Sequence, residues 1–163
     1  MRNEVLTHPI HIEIQKFLDS FDLGVKIIEF KVSTKTSELA ASALGVEVGQ
    51  IAKSMLLMAD EQPVLFVTCG DVKINTNRIR KLVGARKIKF ADAETVERVT
   101  GYPVGGVSPF KPAGNVKILL DKTMDRYEVV YAAAGTAFSA VPVTLGQLEE
   151  ITGGEIVDTE TGE

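Results

Sequence analysis

The chain has 163 residues, 45% of them hydrophobic and 25% charged, with a net charge of −4 and a sequence pI near 5.3. That is enough chain for one domain with its own core, and it excludes a globally basic surface of the kind that advertises a nucleic-acid binder. The single cysteine, Cys69, excludes an internal disulfide, and apolar runs such as Val64 to Val67 are too short to span a bilayer. Met1-Arg2-Asn3-Glu4 lacks the apolar stretch of a secretory signal, so the expectation is a cytoplasmic single domain over residues 1–163 with no membrane partner.

Ile10, Ile14, Phe17, Leu18 and Phe21 recur at helical spacing, with Thr7 as N-cap and Pro9 in the first turn. Gly24 ends that pattern, and Val25 to Phe30 reads as a strand. Thr36 caps a short helix whose apolar side carries Leu39, Ala40, Ala43 and Leu44, stopped by Gly45. Ser54 to Met58 and Pro63 to Thr68 form a hairpin across Asp60-Glu61-Gln62. Asn75 starts a helix with Ile79, Leu82 and Val83 inward, closed by Gly84, and Lys87 to Ala91 alternates as a strand. Asp92 caps a further helix that ends at Gly101.

Val116 to Leu120, Glu128 to Ala133 and Phe138 to Val143 read as strands, and Thr144-Leu145-Gly146-Gln147 is a capping box for a helix running to Thr152. Glu155 to Asp158 adds an edge strand before a polar tail. Short helices interleaved with antiparallel-looking strands give an α+β domain with one curved mixed β-sheet, partly barrel-like, packed with short helices.

Between the regular segments lies Tyr102-Pro103-Val104-Gly105-Gly106-Val107-Ser108-Pro109-Phe110. Adjacent glycines let main chain approach a ligand closely, and Pro109 biases Ser108 towards an extended conformation. The same residues also suit a tight connection crossing under a neighbouring strand. Lys73, Arg78, Arg80, Lys81, Arg86, Lys87 and Lys89 follow one another with no acid among them, either as a solvated face or as a surface for phosphates.

Conventional catalytic groups are scarce. His8 and His11 lie one helical turn apart, and both read as surface residues without a role. With one cysteine and two histidines a closed zinc site has too few ligands, and no phosphate-binding glycine motif is present, so neither metal nor cofactor is expected. Cys69 reads as a small core residue, and Asp121 either orients a partner or serves a turn. Lys53 stands where a helical turn enters a strand, as a solvated lysine or as the cation for an anionic ligand.

Thr36 to Lys53, with Gly45-Val46 and Gln50-Ile51-Ala52-Lys53-Ser54, resembles the first block of the YbaK family, the free-standing relatives of the editing domain inserted in bacterial prolyl-tRNA synthetases. Thr100 to Pro109, containing the G-x-x-x-P element Gly105 to Pro109, is similar to the second block. Leu120-Asp121 and Ala132-Ala133-Ala134-Gly135-Thr136 resemble the third and fourth, and the likeness extends from about residue 20 to 158. It departs at Ala137-Phe138, where several relatives carry a histidine or another polar residue.

The resemblance implies a hydrolase that removes a mischarged amino acid from tRNA in trans, with aminoacyl-tRNA as partner through its 3′-end and acceptor stem. A synthetase is a further partner. In that setting Lys53, Gly105 and Gly106 are the catalytic candidates, with Lys53 at the 3′-end and backbone amides from Gly105 to Ser108 as oxyanion donors. Val107, Ser108, Pro109, Asp121 and Gly135 would bind substrate, with Val107 and the Leu56/Met58 strand walling a small pocket. Arg78, Arg80 and Lys81 would meet tRNA phosphates. The alternatives are a non-catalytic tRNA- or synthetase-binding module of the same fold, and a hydrolase for another activated acyl group.

Overall fold

Eight consecutive residues without glycine or proline, Ala52–Ala59, form strand β2, and Gln62–Cys69 fold back on them as β3 across Asp60-Glu61. In the computed structural model, which describes residues 5–159, this hairpin is central to a five-stranded sheet. Its order is β4 (Ile88–Phe90), β2, β3, β5 (Lys117–Asp121) and β8 (Glu155–Val157). β4 is antiparallel to β2, whereas β5 is parallel to β3 and β8 parallel to β5. The antiparallel expectation therefore fails for half of the sheet. β3 and β5 are apolar without interruption, at Val64–Val67 and Ile118–Leu120, because parallel central strands are covered on both faces.

Alternation sorts their side chains into two cores. Leu56, Leu65, Val67, Ile118 and Leu120 face the larger, and Leu57, Val64, Phe66, Leu119 and Ile79 make the smaller. Helices α1 (Pro9–Asp19), α4 (Ala93–Thr100) and α5 (Leu145–Thr152) close the larger core with Ile14, Leu18, Val96, Leu148 and Ile151. Opposite them stands an antiparallel sheet of order β1 (Ile28–Glu29), β7 (Ser139–Val143) and β6 (Val130–Ala132).

The fold is α+β with a mixed sheet, as expected, but it is two sheets joined by one bridge, Ile51 to Tyr131, and it does not close. β4 pairs with β2 only from Leu57 onward, so among the described residues the edge from Ala52 to Met55 has no strand paired to it. Ala52 to Met55 on that edge line a cavity.

Local differences have local causes. The first helix is capped by His8, whose Nδ1 accepts from the Ile10 N–H at 3.2 Å, because Thr7 is drawn away to Glu29. The strand expected from Val25 to Phe30 shortens to Ile28–Glu29 because Gln15 bonds Val25 C=O and Ile27 N–H, taking the place of a strand neighbour. Leu39 of α2 (Ser37–Leu44) and Leu82 of α3 (Thr76–Val83) are exposed rather than inward. The capping box of α5 forms as read, with Thr144 and Gln147 bonded reciprocally at 3.0 Å. The end of the polar tail, from residue 160, lies outside the described residues. Among the described residues, no helix is long and apolar enough to cross a membrane.

Candidate active site

A cavity of about 310 Å³ opens along the unpartnered edge of β2. Leu56 C=O accepts from Ala91 N–H at 3.0 Å, and strand alternation turns the N–H and C=O of Ser54 to that same edge. β4 no longer runs alongside there, so the cavity has a wall carrying strand-edge polar groups. Ala40, Ile51, Leu56, Val96 and Ala132 supply apolar surface, and the exposed side chains of Met55, Phe90 and Val104 stand at its rim.

Much of the rest of the lining is made of two loops, the first residue of α2 and the start of β7. Val104, Gly105 and Val107 belong to it, together with Thr34 to Ser37 and Ser139-Ala140. Pro103 C=O accepts from Gly106 N–H at 2.9 Å, and Gly105 has φ +91°. This is a turn whose third residue needs a left-handed conformation, which glycine supplies without strain. The Gly106 N–H is thereby consumed, while those of Gly105 and Val107 have no protein acceptor among the described residues.

Close packing also explains the glycine pair. A Cβ on Gly105 would come within 2.6 Å of Lys35 Cγ, and one on Gly106 within 2.7 Å of the Thr136 carbonyl carbon. The loop thus lies wedged between two protein segments, and what it offers the cavity is backbone rather than side-chain space.

Lys53 lines the same cavity as Gly105 and Val107. Its ammonium donates to Val72 C=O at 2.9 Å. Asp71 lies on that side too: the Arg126 guanidinium, 2.7 Å away, holds the Asp71 carboxyl below the usual carboxylate range, with a smaller contribution from Lys53. The ammonium is thus held by Val72 C=O on the side of Asp71, and neither Val72 nor Asp71 is a lining residue of the cavity.

Other expected site residues are placed elsewhere. Ser108 is buried, with its Oγ accepting from Phe110 N–H at 3.3 Å, and Pro109 is buried beside it. Asp121 is buried in the sheet, accepting from Thr68 Oγ1 at 2.6 Å, Thr123 N–H and Thr159 Oγ1, and it takes no part in the cavity lining. Gly135 lies behind the wall, against Tyr102 and Ile10. Met58, expected in the pocket wall with Leu56, lines a separate groove with Arg80, Arg86, Lys87 and Lys89. Arg78 and Arg80 of α3 bond Asp158 C=O and Asn77 Oδ1, respectively, and neither they nor Lys81 reach the cavity.

Two residues that sequence reasoning passed over belong to the picture. Lys35 lines the cavity beside Gly105, and only its position next to the cap Thr36 could have marked it. His11, expected on the surface, is 1% exposed. Its lone place among apolar residues at helical spacing was the available signal.

The family profile of the aminoacyl-tRNA editing domain matches residues 31–151. YwhH of Bacillus subtilis, an uncharacterized protein, is 34% identical over 127 residues, covering 77% of this chain and 80% of its own. The proline–tRNA ligase of Lactobacillus helveticus is 33% identical over 142 residues, 83% of this chain but only 25% of the ligase. Among solved structures, a protein put forward as a trans-editing enzyme for prolyl-tRNA synthetase superposes with a TM-score of 0.87 at 31% identity, covering 96% of this chain and all of that one. The fold, the loop-walled cavity and these matches agree, and the chain belongs to the aminoacyl-tRNA editing domain family.

Proposed function

We propose that this chain is a deacylase that hydrolyses the ester of mischarged tRNA, acting in trans on errors of prolyl-tRNA synthetase. The observation that carries this is a single cavity lined both by Lys53 and Ser54 of β2 and by Gly105 and Val107. An aminoacyl ester is already a reactive carbonyl, so the protein needs only to place it with a water and to stabilise negative charge on the carbonyl oxygen. Water adds to the carbonyl carbon, the bond to the ribose oxygen breaks, and that oxygen takes the proton, leaving free amino acid and an uncharged 3′-end.

The N–H groups of Gly105 and Val107 are the oxyanion donors, and Gly106 contributes shape because its N–H already serves Pro103. Lys53 leaves the neutral carbonyl of Val72 for the anionic oxygens of the substrate, a stronger charge-assisted partner. The apolar wall of Ala40, Ile51, Leu56 and Ala132 suits a small side chain, the class of error that a synthetic pocket rejects poorly.

The route for the tRNA follows β4. Phe90 and Ala91 line the cavity while Lys87, Ile88 and Lys89 line the groove, whose four basic residues outnumber Asp60 and Glu61, so consecutive residues on and beside β4 join the two over roughly 13 Å. Phe90, 49% exposed, offers a face on which the terminal base stacks, and Arg80 and Arg86 in the groove, with Arg78 and Lys81 on the same helix as Arg80, are the cations for acceptor-stem phosphates.

The test is turnover of a panel of mischarged tRNAs by the purified protein. Lys53→Ala should lower kcat by about 10²–10³, the scale of one lost oxyanion donor, with an unchanged melting temperature. A variant as fast as wild type would remove Lys53 from the mechanism. Tight binding of tRNA without turnover would instead identify a non-catalytic module.

A further inference from the structure

His11 lies outside the stretch that matches the family profile, as does Glu29. Yet His11 reaches across 125 positions in sequence to the turn behind the loop wall. Its Nδ1 is 2.7 Å from Glu29 Oε2 and its Nε2 is 2.8 Å from Thr136 Oγ1. Glu29 also accepts from Thr7 N–H, Thr7 Oγ1 and His8 N–H at about 3.0 Å, so its carboxylate is fixed by the start of α1. A carboxylate has no proton to give, which puts the ring proton of His11 on Nδ1 and leaves Nε2 to accept from the Thr136 hydroxyl.

The bond matters because of what Thr136 touches. Its backbone N, Cα and C all lie within 2.9 Å of where a Cβ on Gly106 would stand, so the diglycine loop rests directly on this turn. Thr136 Oγ1 further accepts from Phe138 N–H at 3.1 Å and lies 3.4 Å from Ser139 Oγ. Ser139 exchanges bonds with Thr34 at 3.1 and 3.2 Å, and both of those residues line the cavity. Ile10, one residue before His11, packs within 3.1 Å of the Cβ position of Gly135, which adds an apolar contact beside the polar one.

We infer that His11 is a positioning residue for the loop wall: held by Glu29, it fixes the Thr136 turn, and that turn sets the placement of Gly105, Gly106 and Val107. This rests on the proposed deacylation for its kinetic consequence, although not for its structural one. Small errors in the placement of donors weaken binding of the transition state more than of the ground state.

Two substitutions separate the ends of the ring. In His11→Gln the side-chain amide reaches the position of Nε2, so the Thr136 bond is kept; in His11→Asn it reaches only the position of Nδ1, so the Glu29 bond is kept and the Thr136 bond is lost. His11→Asn should lower kcat at least tenfold with KM within twofold, while His11→Gln stays within about threefold of wild type. Thr136→Val, which also leaves Phe138 N–H without its acceptor, should be at least as slow as His11→Asn, and the double variant should be no slower than Thr136→Val alone, because the His11–Thr136 bond is already lost in it. Equal activity of His11→Asn and wild type, or equal loss in the asparagine and glutamine variants, would overturn the inference. An activity-independent readout keeps it separate from the proposed function: the amide resonances of Gly105, Gly106 and Val107 should shift in His11→Asn and not in His11→Gln. If that pattern holds while wild type turns over no aminoacyl-tRNA, the deacylase proposal fails and the positioning role stands; if the resonances do not move, the positioning role fails.

Discussion

The two walls of the cavity are built on different principles. The β2 wall is one edge of a strand whose register to β3 is fixed over all eight residues, so Lys53, Ser54 and Met55 are placed by the sheet. The other wall includes the loop at 104–107, set by the Pro103–Gly106 turn bond and by close packing of Gly105 on Lys35 and Gly106 on Thr136, together with residues 34–37 and the first residues of β7, Ser139-Ala140. A strand wall spreads any disturbance over many ladder bonds, whereas the loop wall depends on single contacts. Changes to backbone contacts in the loop wall should therefore cost more than changes to side chains at its rim.

The sharpest way to break this comparison is Gly106→Ala. The new methyl would meet three backbone atoms of Thr136 at 2.7–2.9 Å, and backbone cannot swing aside as a side chain can. Overpacking of this kind costs about 1–3 kcal/mol, and displacement of the loop by ~1 Å is enough for a hundredfold loss of rate. Thermal unfolding and deacylation should fall together. An alanine variant with wild-type melting temperature and rate would show that the wall does not depend on that packing.

The difference between the walls also decides what the sequence disclosed. The strand wall was legible because Ala52 to Ala59 and Gln62 to Cys69 carry strand-length apolar patterns on either side of a short turn. Caps at Thr36, Asn75, Asp92 and Thr144 were legible because each places an oxygen before a helical run. The loop wall was visible only as a motif. That Gly106 packs on Thr136 and that Asp121 turns into the sheet towards Thr68 are consequences of contacts distant in sequence. The short β1 was misread for a similar reason: a glutamine twelve residues earlier supplies the hydrogen bonds that a neighbouring strand would.

A smaller effect should appear on acidification, because the loop wall is anchored by titratable groups. Burial lowers the His11 pKa from its ordinary 6.5, outweighing the opposite pull of Glu29. Burial would raise the Glu29 pKa, but hydrogen bonds from His8 N–H, His11 and Thr7 bring it down from 4.5 to about 2. Both groups bind fewer protons in the folded state than in the unfolded one, so stability rises with pH. Their contribution is complete above about pH 6.5, is eroded first as His11 protonates below that, and falls again between pH 4.5 and 2 as Glu29 protonates. Denaturation midpoints measured from pH 8 to 3 should show this decline in wild type. His11→Asn should lose the upper limb and keep the lower one; an unchanged upper limb would assign it to another group.

The smallest expected effect sharpens the comparison from the loop side. Lys35 lies on Gly105 with its stem and is otherwise exposed, so a substitution that keeps the stem and removes the ammonium tests its charge alone. An exposed cation near a phosphate contributes to binding through counterion release and does little for the chemical step. Lys35→Met, which keeps the stem on Gly105, should therefore raise KM a few-fold, on the order of 1 kcal/mol or less, and leave kcat unchanged. Removing one contact to the single-stranded 3′-end should also make the slope of log affinity against log salt shallower by about 0.7. Lys53→Ala should do the reverse, lowering kcat far more than affinity, although both lysines border the same space. If the two variants instead give the same pattern, Lys53 is a second rim cation. The strand wall then supplies shape and edge hydrogen bonds, and the charge stabilisation of the transition state falls to the backbone of the loop.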